Sequence, residues 1–71
     1  MTDTGKLQDC IDKSGLKQAY IANVLGLSSY GFARKRDNKS AFTAAEIASL
    51  CDLLHITRKE MLSIFFAKGV D

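Results

Sequence analysis

Gln18–Arg36, QAYIANVLGLSSYGFARKR, decides the fold, because it holds two short helical patterns joined by a turn with almost no slack. Ile21, Ala22 and Leu25 share one face at the i, i+1, i+4 spacing of an amphipathic helix, and Gly26 ends it. Leu27 and Ser28 follow at once. A serine here can take a free backbone N–H of the next helix on its hydroxyl. That next helix turns Phe32 inward. At 100° per residue Tyr30 and Arg34 then lie on the opposite side, one turn apart, before the helix closes as Arg34, Lys35, Arg36. A tyrosine and an arginine carried outward on so short a helix point to a binding surface. The competing view is that the two side chains stack on each other and only cover neighbouring surface.

The start signals of this stretch recur along the chain. In a hydrophobic staple an apolar residue just before the N-cap packs on one five positions later. Leu16 with Ile21, Leu27 with Phe32, Phe42 with Ile47 and Ile56 with Met61 all have this spacing, bracketing Lys17, Ser28, Thr43 and Thr57 as caps. Thr43 with Glu46 and Thr57 with Glu60 also form capping boxes. Five helices are predicted: Thr4 to Lys13, stopped by Ser14 and Gly15; Gln18 to Leu25; Ser29 to Arg36; Ala44 to Leu54; and Arg58 to about Ala67. Leu7, Cys10 and Ile11 mark the core face of the first, and Ile47, Leu50, Cys51 and Leu54 that of the fourth. The expected fold class is all-α, a compact five-helix bundle in one domain over residues 1–71. Its core spans about residues 4–67 and its termini, including Lys68–Asp71, are frayed.

Composition narrows the function classes. With 46% hydrophobic and 25% charged residues and no proline, the chain has the make-up of a globular helical protein rather than a disordered tail. The net charge of +2 conceals an asymmetry. Residues 13–39 hold Lys13, Lys17, Arg34, Lys35, Arg36 and Lys39 against Asp37 alone, a balance of +5, so the remainder carries −3. Positive charge gathered on one segment is the footprint of a polyanion binder, although a short charge run also serves as an ordinary solvated face. The N-terminus MTDTGKLQDC lacks the basic start and apolar run of a signal peptide, and no apolar stretch is long enough for a membrane span, so a cytoplasmic, nucleoid-associated protein is expected. Cys10 and Cys51 fall on apolar helix faces and read as buried free thiols. One His and two Cys without ligand spacing do not make a metal site, and His55 reads as a connector. There is no Ser/His/Asp or Cys/His set, no phosphate-cradling Gly-rich loop and no paired carboxylates, so no enzyme and no cofactor is expected.

Taken together, Gln18, Ala22, Gly26, Ser28 and Phe32 resemble the pattern of lambda-repressor-like, Cro-type (XRE-like) helix-turn-helix domains of phage and bacterial regulators. The flanking helices extend the resemblance over roughly the whole chain. It implies that helices 2 and 3 form the helix-turn-helix, that Gln18 reaches a phosphate, that Ala22 lets helix 3 pack close, that Gly26 makes the turn and that Phe32 anchors the recognition helix. It implies further that helix 3 enters the major groove of double-stranded DNA, with Ser29, Tyr30 and Arg34 at the base edges. Arg34 suits guanine O6 and N7, and Tyr30 a thymine methyl or a phosphate. By family position Gln18, Asn38 and Lys39 contact phosphates, with Lys35 and Arg36 adding charge. This sequence departs from the family pattern where Lys17 replaces the usual Ser or Thr cap, Arg36 a commonly apolar residue and Asn38 a frequent Gly. Asn tolerates the left-handed conformation that a Gly would supply. Gly31 inside helix 3 costs about 1 kcal/mol of helix propensity relative to Ala.

Helix 5 is apolar around too much of its circumference, with Met61, Leu62, Ile64, Phe65 and Phe66. One reading fills the core with Met61, Leu62 and Phe65 and lays Ile64 and Phe66 over helix 1. The other makes Ile64, Phe65 and Phe66 a candidate dimer interface, since the resemblance implies a homodimer on a pseudo-palindromic operator. The function these features imply is sequence-specific DNA binding by a small transcriptional regulator, a repressor of phage or mobile-element type. A protein-interaction module, an antirepressor or adaptor that uses helix 5, is the alternative.

Overall fold

The computed structural model describes residues 2–66, which form α1 (Thr4–Ser14), α2 (Gln18–Val24), α3 (Ser29–Arg36), α4 (Ala44–Leu54) and α5 (Arg58–Phe65). The fold is all-α, and no strand occurs among the described residues. The bounds of α3 and α4 match those read from the sequence. Helix α1 runs one residue further than expected and α2 stops one residue earlier, at its cap Leu25. Helix α5 closes at Phe65, whereas the expected last helical residue, Ala67, and the expected frayed end, Lys68–Asp71, lie outside the described residues.

Four of the helices stop in the same way. Gly15 (φ 70°), Gly26 (φ 75°), Asn38 (φ 66°) and His55 (φ 56°) each take a left-handed conformation just past a helix. This reversal lets the following N–H groups return to carbonyls of the last turn. After α2, Gly26 N–H meets Asn23 O at 3.0 Å and Leu27 N–H meets Ala22 O at 2.9 Å. After α1, the Ser14 hydroxyl mediates the second bond, donating to Ile11 O at 2.6 Å and accepting from Leu16 N–H at 3.1 Å. In three links the reversing residue is followed directly by an apolar residue and then the next cap: Gly15-Leu16-Lys17, Gly26-Leu27-Ser28 and His55-Ile56-Thr57. Leu16, Leu27 and Ile56 each pack against the core, so each one closes one helix and staples the start of the next.

The starts follow the cap chemistry. Ser28 accepts from Gly31 N–H at 3.0 Å, and both capping boxes are complete. Lys17 makes no side-chain cap, as its chemistry dictates. Asp3, a cap for α1 that the sequence reading did not single out, accepts from Lys6 N–H.

Leu7 and Ile11 of α1, Ile21 and Ala22 of α2, Phe32 of α3, Leu50 of α4, and Ile64 and Phe65 of α5 make one core. Phe42, in the link before α4, joins it edge-on to two rings, Phe32 at 6.0 Å and Phe65 at 5.6 Å. The orientation of α3 is thereby fixed from below by three interlocked aromatics, each pair contributing about 0.5–1.5 kcal/mol beyond area burial.

Helix α5 corrects the reading of its apolar residues. Ile64 and Phe65 are interior, whereas Leu62 and Phe66 are 44% and 42% exposed. At 100° per residue Met61, Ile64 and Phe65 fall within one arc and Leu62 with Phe66 beside it, so a single stripe enters the core and a second faces out. Leu62 therefore leaves the core set, and of the candidate interface residues Ile64 and Phe65 are already enclosed by their own chain.

Candidate nucleic-acid interface

Helices α2 and α3 pack against each other across residues 25–28. The hydrogen bond from Leu27 to the Ala22 carbonyl draws the link under α2, and Ala22, 1% exposed, places only a methyl group between α2 and α3. Phe32 is fully buried and sets the rotation of α3. The first turn of α3 consequently projects Ser28, Ser29 and Tyr30 into solvent, and Tyr30 is 74% exposed, more than any other large apolar side chain among the described residues.

One turn beyond Tyr30, the Arg34 guanidinium donates through Nη2 to the Lys39 carbonyl at 3.2 Å. The partner of Arg34 is thus the main chain of the following loop rather than the Tyr30 ring. Lys39 itself is exposed.

Lys35 and Arg36, expected to add charge toward phosphates, have partners within the chain. Lys35 Nζ lies 2.5 Å from Glu46 Oε1, and both side chains are largely enclosed, at 17% and 14% exposure. The same oxygen accepts from Thr43 N–H at 2.9 Å, so the capping box of α4 is also the brace that holds α3. Burial opposes ionisation of Glu46, but the hydrogen bonds from Lys35 and Thr43 outweigh it and hold the carboxyl below its ordinary range.

Arg36 donates through Nε and Nη2 to the two oxygens of Asp37, at 3.0 and 3.2 Å, and through Nη1 to Gln18 Oε1. Hydrogen bonding to Arg36 lowers the Asp37 pKa and raises that of the guanidinium. The end of α3 is thereby tied to the start of α2. With its oxygen engaged by Arg36, Gln18 keeps its NH2 group as the remaining hydrogen-bonding end, a donor of the kind a phosphate accepts.

Asn38, also expected at a phosphate, closes a paired contact with the N-terminal segment. Its Nδ2 donates to Thr2 O at 2.6 Å, and Thr2 N–H donates to its Oδ1 at 3.1 Å. Thr2 and Glu46 were not among the residues singled out from the sequence. Glu46 had a visible role as a capping partner, but nothing local signals that it also meets Lys35. Thr2 carries no signal at all, because its partner is 36 positions away.

The remaining surface contains open grooves. One, of about 600 Å³, is lined by Cys10, Lys13, Tyr20, His55 and Glu60 among others. Cys10 and Cys51 are free and half-buried, and burial pushes both thiols above their ordinary pKa, with Glu60 adding to the effect on Cys10. Among the described residues no three His, Cys, Asp or Glu side chains come together as a metal site, and no helix is long and apolar enough to cross a membrane. Compared with models of known families, with curated proteins and with solved structures, the chain finds no significant match.

Proposed function

We propose that the chain is a small sequence-specific double-stranded DNA-binding protein, a transcriptional regulator of repressor type from a phage or mobile element. On this reading α2 and α3 act as a helix-turn-helix and α3 lies in the major groove. The observation that carries it is the first turn of α3. Tyr30 stands 74% exposed on a helix whose rotation is locked by a fully buried Phe32, within the segment that bears a charge of +5. An aromatic ring so presented gains nothing from the protein's own fold. Ser29, Tyr30 and Arg34 read base edges. The Gln18 amide and the Lys39 ammonium position the domain on phosphates, and Arg36 acts by orienting Gln18. The regulator binds a pseudo-palindromic operator as a homodimer, with Phe66 and Leu62 as the apolar surface of α5, and represses by excluding polymerase.

Selection from a randomised duplex pool, run for the natural sequence and for Arg34→Ala, tests this. A two-fold-symmetric sequence should be enriched, with preference at one base pair per half-site relaxed in the variant by about 1–3 kcal/mol. No enrichment and negligible binding at low salt would remove the reading. The exposed Leu62 and Phe66, one turn apart, favour a second reading in which α5 docks a protein partner. In that case Phe66→Glu abolishes partner binding while DNA affinity is weak in every variant.

A further inference from the structure

We infer that the Asn38 side chain is a positioning residue for Arg34, acting through the loop that it pins to the N-terminal segment; the inference rests on the DNA-reading role proposed above. The chain must reverse after Arg36. Asn38 does this at φ 66°, returning its own N–H to Lys35 O at 3.2 Å and the Lys39 N–H to Arg34 O at 2.8 Å. The reversal sets the Lys39 carbonyl over α3, where it accepts from Arg34 Nη2 at 3.2 Å. Arg34 therefore meets residue 39 twice, with its main-chain oxygen and with its guanidinium. With one N–H of a rigid planar fork engaged, the orientations open to the other donors are narrowed.

What steadies residues 38 and 39 is the Asn38 amide. The link between α3 and α4 is the longest between successive helices, spanning residues 37–43, and residues 37–39 are exposed. A glycine at position 38 would reverse the chain equally well. It would not make the two bonds to the Thr2 main chain, at 2.6 and 3.1 Å. The segment holding Thr2 is itself anchored, because Asp3 N–H donates to Ile64 O at 2.5 Å and the Asp3 carboxylate caps α1. The chain of support runs from α5 and α1 through Asp3 and Thr2 to Asn38, then to the Lys39 carbonyl and the Arg34 guanidinium. A side chain so held in advance meets its target with less ordering left to do.

The test compares base preference and affinity for the natural sequence, Arg34→Ala, Asn38→Gly and the double variant, at one salt concentration. Asn38→Gly keeps the left-handed turn and removes only the clasp. It should relax preference at the same base pairs as Arg34→Ala, by about fivefold or more, the lower bound of a bidentate contact. The double variant should discriminate no worse than Arg34→Ala alone, since both changes remove one interaction. Thr2→Pro, which deletes the N–H donor from the other side and leaves the bond to the Thr2 carbonyl, should relax preference at the same base pairs by a smaller factor, and it decides the matter if circular dichroism shows Asn38→Gly to have lost helix. An Asn38→Gly protein that loses affinity equally for all sequences makes Asn38 a direct phosphate contact and overturns the inference, as does one indistinguishable from the natural chain. A natural chain without any base preference instead removes the DNA-reading role itself, independently of the Asn38 comparison.

Discussion

Phe32 and Tyr30 sit two positions apart and divide the work of α3 between holding and presenting. Phe32 has no exposed surface and meets the Phe42 ring. Its truncation to alanine removes most of a ring from a close-packed site and should cost about 3–5 kcal/mol. For a domain of this length, whose whole stability is on the order of 4–10 kcal/mol, that is from about a third of the total to all of it. Tyr30→Ala touches almost nothing and should shift stability by less than about 0.5 kcal/mol while weakening DNA binding. Urea titration followed by circular dichroism separates the two; a Tyr30→Ala loss as large as that of Phe32→Ala would make Tyr30 a packing residue. The burial of Phe32 and the exposure of Tyr30 were legible in the sequence, because helical period alone puts them on opposite faces. The partners of Lys35, Arg36 and Asn38 were not. Each is joined to a residue far along the chain, Glu46, Gln18 or Thr2, and no local pattern records which distant groups the fold will bring together.

At the scale of the elements, legibility followed the range of the interaction. Caps, staples and reversals span a few residues, so the starts of α2, α3, α4 and α5 were readable directly, and so was the left-handed turn at Asn38. The matching turn at His55 was not foreseen, although histidine, like Asn and Asp, takes that conformation more often than other side chains do. The sidedness of α5 also escaped, because five apolar residues define two stripes and only packing chooses which one enters the core. The Glu46 brace makes a prediction about the junction of α3 and α4. The folded protein holds this carboxyl below its ordinary pKa, so its charge stabilises the fold above the unfolded glutamate value of roughly 4.3, and the contribution is lost as pH falls through the lower folded value. Glu46→Gln keeps an acceptor oxygen but not the charge. It should lower the urea midpoint at pH 7 and lower it by less at pH 3, below the unfolded value of roughly 4.3, where the charge contributes less to the fold. An equal loss at both pH values would mean that the side chain acts by shape and hydrogen bonding alone.

Over the whole molecule the charge is unevenly shared, +5 across residues 13–39 and −3 elsewhere, yet the part of it offered to a partner is smaller than the sequence total suggests. Among the described residues two ion pairs form, Lys35–Glu46 and Arg36–Asp37, and both draw their cation from the end of α3. Counting basic residues therefore overstates the electrostatic contribution to binding. Each phosphate neutralised on duplex DNA adds about 0.9 to the slope of log affinity against log salt. Lys39, exposed beside the Arg34 anchor, should account for one such contact, and Lys39→Ala should flatten the slope by about that amount while weakening all sequences alike. Lys35→Gln should leave the slope as it was, because the ammonium is already committed to Glu46, and should instead lower the urea midpoint. Fluorescence anisotropy at four or more salt concentrations measures both slopes on one operator. If Lys35→Gln flattens the slope as much as Lys39→Ala does, Lys35 exchanges Glu46 for a phosphate on binding, and the junction of α3 with α4 loosens when DNA arrives.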